Sequence, residues 1–333
     1  MEYIESIKEG FRVVHRVWQL VLVQIGMIIL SGIGFFILVG IPLAIAFVLF
    51  SVDLTGITDI KDIFLMLKEP SEIISKYFGL VLIVVTGLLM YFLVATIFSI
   101  YVFGGSVGVI GNALRDKTLK FNIHTFFSEA RRLFLPMLGF TGIVGIVMIA
   151  IAFVLGILVG GIVALVSFVK SQDSTLALFL SLFFSLTLII IAIIFLLGIL
   201  SITMYGIAAL SMKGTGPLKS LKEASNYIVK HPKAFWLYSI LLGGYIFLSF
   251  LLILLGYSFK LIPVIGTILS FPYQLISYVF QTYVGLSIFA TIFLYYYSTE
   301  ILSEPIAGSS IPQIPPQAED SQSLGGNYPN QPG

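Results

Sequence analysis

The sequence predicts an all-α polytopic membrane protein: six transmembrane helices arranged as three hairpins, each preceded by a cytoplasmic amphipathic helix. Three observations predict it. The 333 residues are 58% hydrophobic and only 10% charged, where a soluble domain carries about 25% charged residues. Six apolar stretches exceed the roughly 20 residues needed to cross about 30 Å of hydrocarbon. Three short charged segments, beginning at Ile4, His124 and Leu218, each stand before a pair of those stretches.

The same composition excludes several classes. A formal charge of +2 is too small for a nucleic-acid partner, so where the charges lie matters more than their sum. With no cysteine there is no disulfide framework, thiolate nucleophile or zinc–cysteine site.

The spans fall near 17–50, 78–114, 135–169, 176–212, 235–257 and 274–297. The first is too long for a cleaved signal peptide, whose apolar core is about 7–15 residues. The first four are longer than a bilayer requires and predict tilt or helical stalks beyond the membrane. Pro42 predicts a kink or an outer end in the first. Between the first two spans, 51–77 mixes acidic and basic residues with Ile60, Phe64, Leu67, Ile73 and Tyr77, which predicts short helices on the outer surface. The apolar segment 261–272 carries Pro263 and Pro272 and is too short to span, so it reads as a re-entrant or interfacial turn. From 301 the chain turns to Pro, Gln, Ser, Gly and Asn and predicts a disordered tail through 333. Pro312 and Pro315 frame a PxxP pattern that so Pro-rich a tail produces by chance.

Basic residues set the orientation. Thirteen of the 18, from Lys8, Arg12 and Arg16 through Arg131, Arg132, Lys213 and Lys233, fall on the side of the N-terminus. Only Lys61, Lys68, Lys76, Lys170 and Lys260 fall on the other. This positive-inside bias predicts a cell-membrane protein with both termini cytoplasmic.

The three charged segments align at offsets of 120 and 94 residues. Ile4, His124 and Leu218 share a column, as do Ile7, Phe127 and Leu221; Glu9, Glu129 and Glu223; Gly10, Ala130 and Ala224; and Val14, Phe134 and Ile228. In the first copy Ile4, Ile7, Phe11, Val14 and Trp18 follow helical spacing and predict one apolar face lying in the headgroup region, with Lys and Arg on anionic lipid. Duplication of a helix-plus-hairpin unit follows, with repeats near 1–114, 115–212 and 213–300 inside one membrane domain of residues 1–300.

The openings Ser-Ile-Lys-Glu-Gly at 6–10 and Ser-Leu-Lys-Glu-Ala at 220–224, the six spans, and Ala-Thr-Ile-Phe-Leu-Tyr-Tyr-Tyr at 290–297 carry a resemblance. The chain resembles the membrane domain associated with glycerophosphodiester phosphodiesterases and related six-span proteins of bacteria and archaea. In that family the phosphodiesterase activity belongs to a separate soluble barrel, for which this chain has no room. The resemblance therefore implies a membrane module and not an enzyme.

Candidate chemistry is sparse. Glu9, Glu129 and Glu223 form a candidate interfacial cluster for a cation; as a solvated face they pair with Arg12 and Arg132 three residues on. His15, His124 and His231 lack metal-ligand spacing and occupy non-equivalent repeat positions, so neither metal nor other cofactor is expected. Away from their ends the spans carry no Asp, Glu, Lys, Arg or His, which argues against a proton-coupled pump. Gln274 and Gln281, seven residues apart, share a helix face and read as interhelical hydrogen-bonding groups or as an intramembrane polar lining. Gly104 with Gly108, and Gly156 with Gly160, make small-xxx-small motifs for close helix contact. No phosphate loop, nucleophile elbow or HExxH motif occurs.

The resulting expectation is a non-catalytic membrane module that organises lipid or anchors a partner. Its partners are the bilayer, anionic lipid at the cytoplasmic helices, and a protein partner or second copy, with no nucleic acid. The alternative is a permease for an apolar or amphipathic solute.

Overall fold

A computed structural model describes residues 3–55, 78–260 and 265–302, and every regular element among them is a helix. In chain order these are α1 (Tyr3–Arg16), α2 (Gln19–Phe35), a π-helical turn (Phe36–Gly40), α3 (Ile41–Thr55), α4 (Phe78–Arg115), α5 (Ile123–Lys170), α6 (Ser174–Lys213), α7 (Pro217–Lys230), α8 (Pro232–Lys260) and α9 (Ile265–Tyr296), closed by a second π turn (Tyr297–Ile301). Six stretches are long and apolar enough to cross a membrane: Gln19–Val48, Phe78–Arg115, Ile123–Lys170, Ser174–Lys213, Pro232–Ser258 and Ile268–Ile301. The chain is thus an all-helical, multi-pass membrane protein by length and composition. The readings of 56–77 and of the tail beyond Leu302 lie outside the described residues.

Local chemistry explains the boundaries. Pro42 has no N–H for the carbonyl of Leu38, and the chain takes up the mismatch as the π turn just before it, with the Ile41 N–H reaching back to Phe36. Asn122 caps α5 by accepting the His124 N–H at 2.9 Å, and Asp173 caps α6 by accepting from Thr175 and Leu176. Gly214, with φ +64°, ends α6 in the left-handed conformation that glycine adopts at little cost. Pro217 and Pro232 then open α7 and α8, where a missing N–H costs nothing.

Two expectations change here. The segment ending at Pro272 is not a turn over its described part. Helix α9 begins at Ile265 and runs through Pro272, and the sixth span starts at Ile268, six residues before the predicted Gln274. Nor is the second charged segment a separate helix. It flows without a break into α5, whose 48 residues extend about 72 Å at 1.5 Å per residue. A bilayer with headgroups is about 40–45 Å thick, so the helix is longer than a perpendicular span requires.

The helices meet in a cyclic pattern. Helices α4, α6 and α9 touch one another; α2 lies against α9 and α4, α5 against α4 and α6, and α8 against α6 and α9. Helix α1 packs on α9, the first turns of α5 on α4, and α7 on α6. Most of the tight packing among the described residues is at one end, where the hydrophobic core runs from Val13 to Val21, through Ile100–Leu114, Phe126–Phe140 and 205–212, to Tyr296. Beyond this base the apolar faces are mostly bare, with Val39 and Ala177 buried. Of the most apolar window in each span, none is buried in three cases and 6% in two, with 28% in the last.

The short helices pack by a face beside the predicted headgroup stripe, which stays exposed at Ile4 and Trp18 while its Val14 is buried. Ile4 is 77% exposed and Leu218 70%, and Trp18 is also exposed. The buried positions are instead Ser6, Gly10, Val13 and Leu20 in the first copy; Phe126, Ala130, Leu133 and Phe140 in the second; and Ser220, Ala224, Tyr227 and Ala234 in the third. These keep the 120- and 94-residue offsets throughout. The reason is steric. A Cβ on Gly10 would lie 2.8 Å from the backbone nitrogen of Thr291, so α1 and α9 cross backbone to backbone there, which only the small-residue face permits.

Of the two glycine motifs, Gly104 and Gly108 do sit at a helix contact, under Leu133 and the Glu129 side chain. Gly156 and Gly160 have open space around them, so that pair makes no helix contact among the described residues.

Candidate functional site

Three regions carry polar groups in positions that a folded apolar protein does not need. The first is the base, where the C-terminal ends of the inner helices are tied by cations. Arg16 donates to the carbonyl of Ala113 at 3.1 Å and to that of Lys117, capping α4. Arg115 donates to the Met212 carbonyl at the end of α6. Lys213 reaches Glu300 at 3.4 Å beyond the end of α9. Cations here meet the negative end of each helix dipole and satisfy carbonyls that have no helical partner. Asp116 tightens the adjoining loop: the Thr118 hydroxyl and amide both donate to it, at 2.7 and 2.8 Å, and hold its carboxyl below the usual range.

The three glutamates lie on this base but each answers to its own neighbour. Glu9 pairs with Arg12. Glu129 accepts from Asn112 on α4 at 3.1 Å and from Arg132 at 2.9 Å. Glu223 lies 4.0 Å from Lys219, with its second oxygen buried and unpartnered among the described residues. Among the described residues no group of three or more His, Asp or Glu is placed to hold a metal ion. His15 and His124 are exposed; His231 stacks on Tyr227 and lies 3.9 Å from Glu300.

The second region is a cleft of about 340 Å³ between α8 and α9, and it contains both predicted glutamines. Gln274 and Gln281 line it together with Ser270, Tyr273, Ser277 and Tyr278, against Leu252 and Gly256 of α8. Tyr273 donates to the Leu252 carbonyl across the cleft, and its ring occupies the space that a Cβ on Gly256 would need. The Ser277 hydroxyl is buried without a partner among the described residues. Gln24, by contrast, does bond between helices, donating to Ser106 of α4 at 3.0 Å.

The third region is a groove of about 540 Å³ at the top of the base, and the sequence did not disclose it. Helix α7 forms its floor with Leu218 and Leu221, crossing α5 where Gly139 makes room for Pro217. Its walls are Val144 and Val147 of α5 and Ile199 and Ile202 of α6. Lys222, Ser225 and Asn226 stand at its rim. The available signal was the Leu218/Leu221 stripe, predicted to face lipid. That it would meet two spans more than 50 residues apart could not be read from spacing.

The fold and these surfaces define the class: an all-helical membrane protein with six candidate spans among the described residues, a packed, basic base, and apolar grooves between its helices. Comparison with protein-family models, curated proteins and solved structures found no match to this chain.

Proposed function

We propose that this chain is a non-catalytic membrane module that organises lipid. It has three hairpins, each led by an amphipathic segment at the cytoplasmic interface, and both termini are cytoplasmic. Three copies of one unit, near 1–114, 115–212 and 213–300, close into a pseudo-threefold ring. The cyclic contacts of α2, α5 and α8 with the inner α4, α6 and α9 support that ring, as does burial at the same repeat columns.

The observation that carries the lipid reading is the confinement of the core to one end. Solvent-facing apolar surface of this extent would be untenable in water, whereas in a bilayer acyl chains fill the gaps between arms. The basic base is suited to anionic headgroups. The test is the set of phospholipids that co-purifies with the full chain. Neutralising Lys8, Arg12, Lys219 and Lys222 together is expected to deplete anionic lipid, and an unchanged profile counts against the reading.

One observation favours the second reading, a permease for an apolar or amphipathic solute: the cleft holding Gln274, Gln281 and the unpartnered Ser277 hydroxyl. Saturable uptake of a solute by proteoliposomes, lost on Gln274→Leu and Gln281→Leu, would establish it. Flux equal to that of empty liposomes across a panel of solutes would remove it.

A further inference from the structure

The groove between α5, α6 and α7 joins an apolar wall to a polar rim. Its walls and its rim belong to different physical environments. Val144, Val147, Ile199 and Ile202 lie on candidate spanning helices and make an apolar wall, while the rim is the polar edge of a short helix that crosses them. An amphiphile with a long apolar part and a polar head at one end matches that division, and a wholly polar solute does not.

Charge complementarity narrows the head. Lys219 is engaged by Glu223 at 4.0 Å, whereas Lys222 is exposed and has no ion pair among the described residues. Ser225 and Asn226 add exposed donors on the same rim. One cation flanked by a hydroxyl and an amide is a donor set for a phosphate oxygen. The neighbouring Glu223 has one oxygen buried and the other facing Lys219, and no ion pair between it and Lys222 is formed among the described residues. Helix α7 is also held firmly. Ala224 is buried against Gly206, where a Cβ would lie 3.7 Å from that of Ala224. Thr215 and Ser220 share a 2.6 Å hydrogen bond at its start.

We infer that this groove binds one anionic phospholipid, its chains along α5 and α6 and its phosphate at Lys222, Ser225 and Asn226. The inference rests on the lipid-organising reading and gives it a site and a headgroup class. Leu218, which is exposed, and Leu221, which is half-buried against the core, cover the first carbons below the head.

The test uses the full chain, delipidated in detergent and titrated with phosphatidylglycerol or phosphatidylcholine while bound lipids are counted by native mass spectrometry. Wild type is expected to hold one phosphatidylglycerol more tightly than phosphatidylcholine. Lys222→Gln should weaken phosphatidylglycerol about fivefold and leave phosphatidylcholine unchanged, as expected for one lysine near an anionic surface. Ile202→Trp, which fills the groove, should remove the tight site for both lipids. Lys170→Gln, exposed at the far end of α5 from the groove, should change neither.

If Ile202→Trp loses monodispersity, Leu221→Trp fills the groove from the floor instead. Equal binding by wild type and both groove-filling variants overturns the site and leaves the broader lipid reading standing. Equal affinity of wild type for the two lipids overturns the headgroup assignment. No retained lipid in any form, wild type included, overturns both readings.

Discussion

Gly10 is a position at which a single methyl group should do clear damage. Its Cβ would lie 2.1 Å from the Thr291 hydroxyl and, more decisively, 2.8 and 2.9 Å from the Thr291 backbone N and Cα. Carbon contacts are favourable at about 3.5–4.0 Å, so α1 must withdraw from α9 by roughly 1 Å, and a gap of that size forfeits a quarter to a half of each contact along the seam. That seam includes Val13, Val14 and Val17, all buried. Overpacking of this kind costs about 1–3 kcal/mol when the backbone can shift. We expect Gly10→Ala to lower the apparent melting temperature of the detergent-purified chain by several degrees, read by intrinsic fluorescence. Thr291→Ala should rescue it only in part, because the backbone clash persists. Gly156→Ala, made where nothing lies within 4 Å, is the control and should leave stability unchanged or slightly raised. Equal behaviour of Gly10→Ala and Gly156→Ala would refute the backbone crossing of α1 on α9.

Other expectations follow from single contacts. Gly87→Ala places a Cβ 2.3 Å from the Leu38 carbonyl beside the π turn, so it should separate α2 from α4 and reduce the yield of a cysteine cross-link engineered across that pair. Glu129→Leu strands the Asn112 amide at a half-buried site, which should cost about 1–3 kcal/mol in thermal stability, while Glu9→Leu, on an exposed pair, should cost under about 1 kcal/mol. Burial pushes the Tyr227 phenol up, against the hydrogen bond with Thr299 that lowers it. Its neutral form is therefore favoured in the fold. That stability is fully present below the ordinary value near 10 and is lost as pH rises above it, so a melting-temperature series from pH 8 to 11 should fall more steeply for wild type than for Tyr227→Phe.

How much of this was legible depended on whether one helix or several made the feature. The spans could be read because twenty apolar residues in a row have few other uses, and the repeat offsets because three segments keep the same columns. The buried face of α1 was missed because the apolar stripe of Ile4, Ile7 and Phe11 is conspicuous, whereas packing selected the small residues Ser6 and Gly10 beside it. Helix α9 runs on through Pro272 because a membrane helix tolerates proline when neighbours re-satisfy the freed carbonyl. Gln274 and Gln281 could be paired from a seven-residue spacing within one helix, and both line one cleft. The groove over α7 is made by three helices and had no such signature. The cations capping α4 and α6 were equally hidden, since Arg16 and Ala113 are 97 residues apart.

The account stands most directly on the lipid that the protein keeps. Native mass spectrometry of the wild-type chain released from mild detergent should find several phospholipids per molecule, enriched in anionic headgroups over the bulk membrane. A chain released free of lipid, and equally stable without it, would contradict the proposal that the bare spans and the basic base exist to organise lipid.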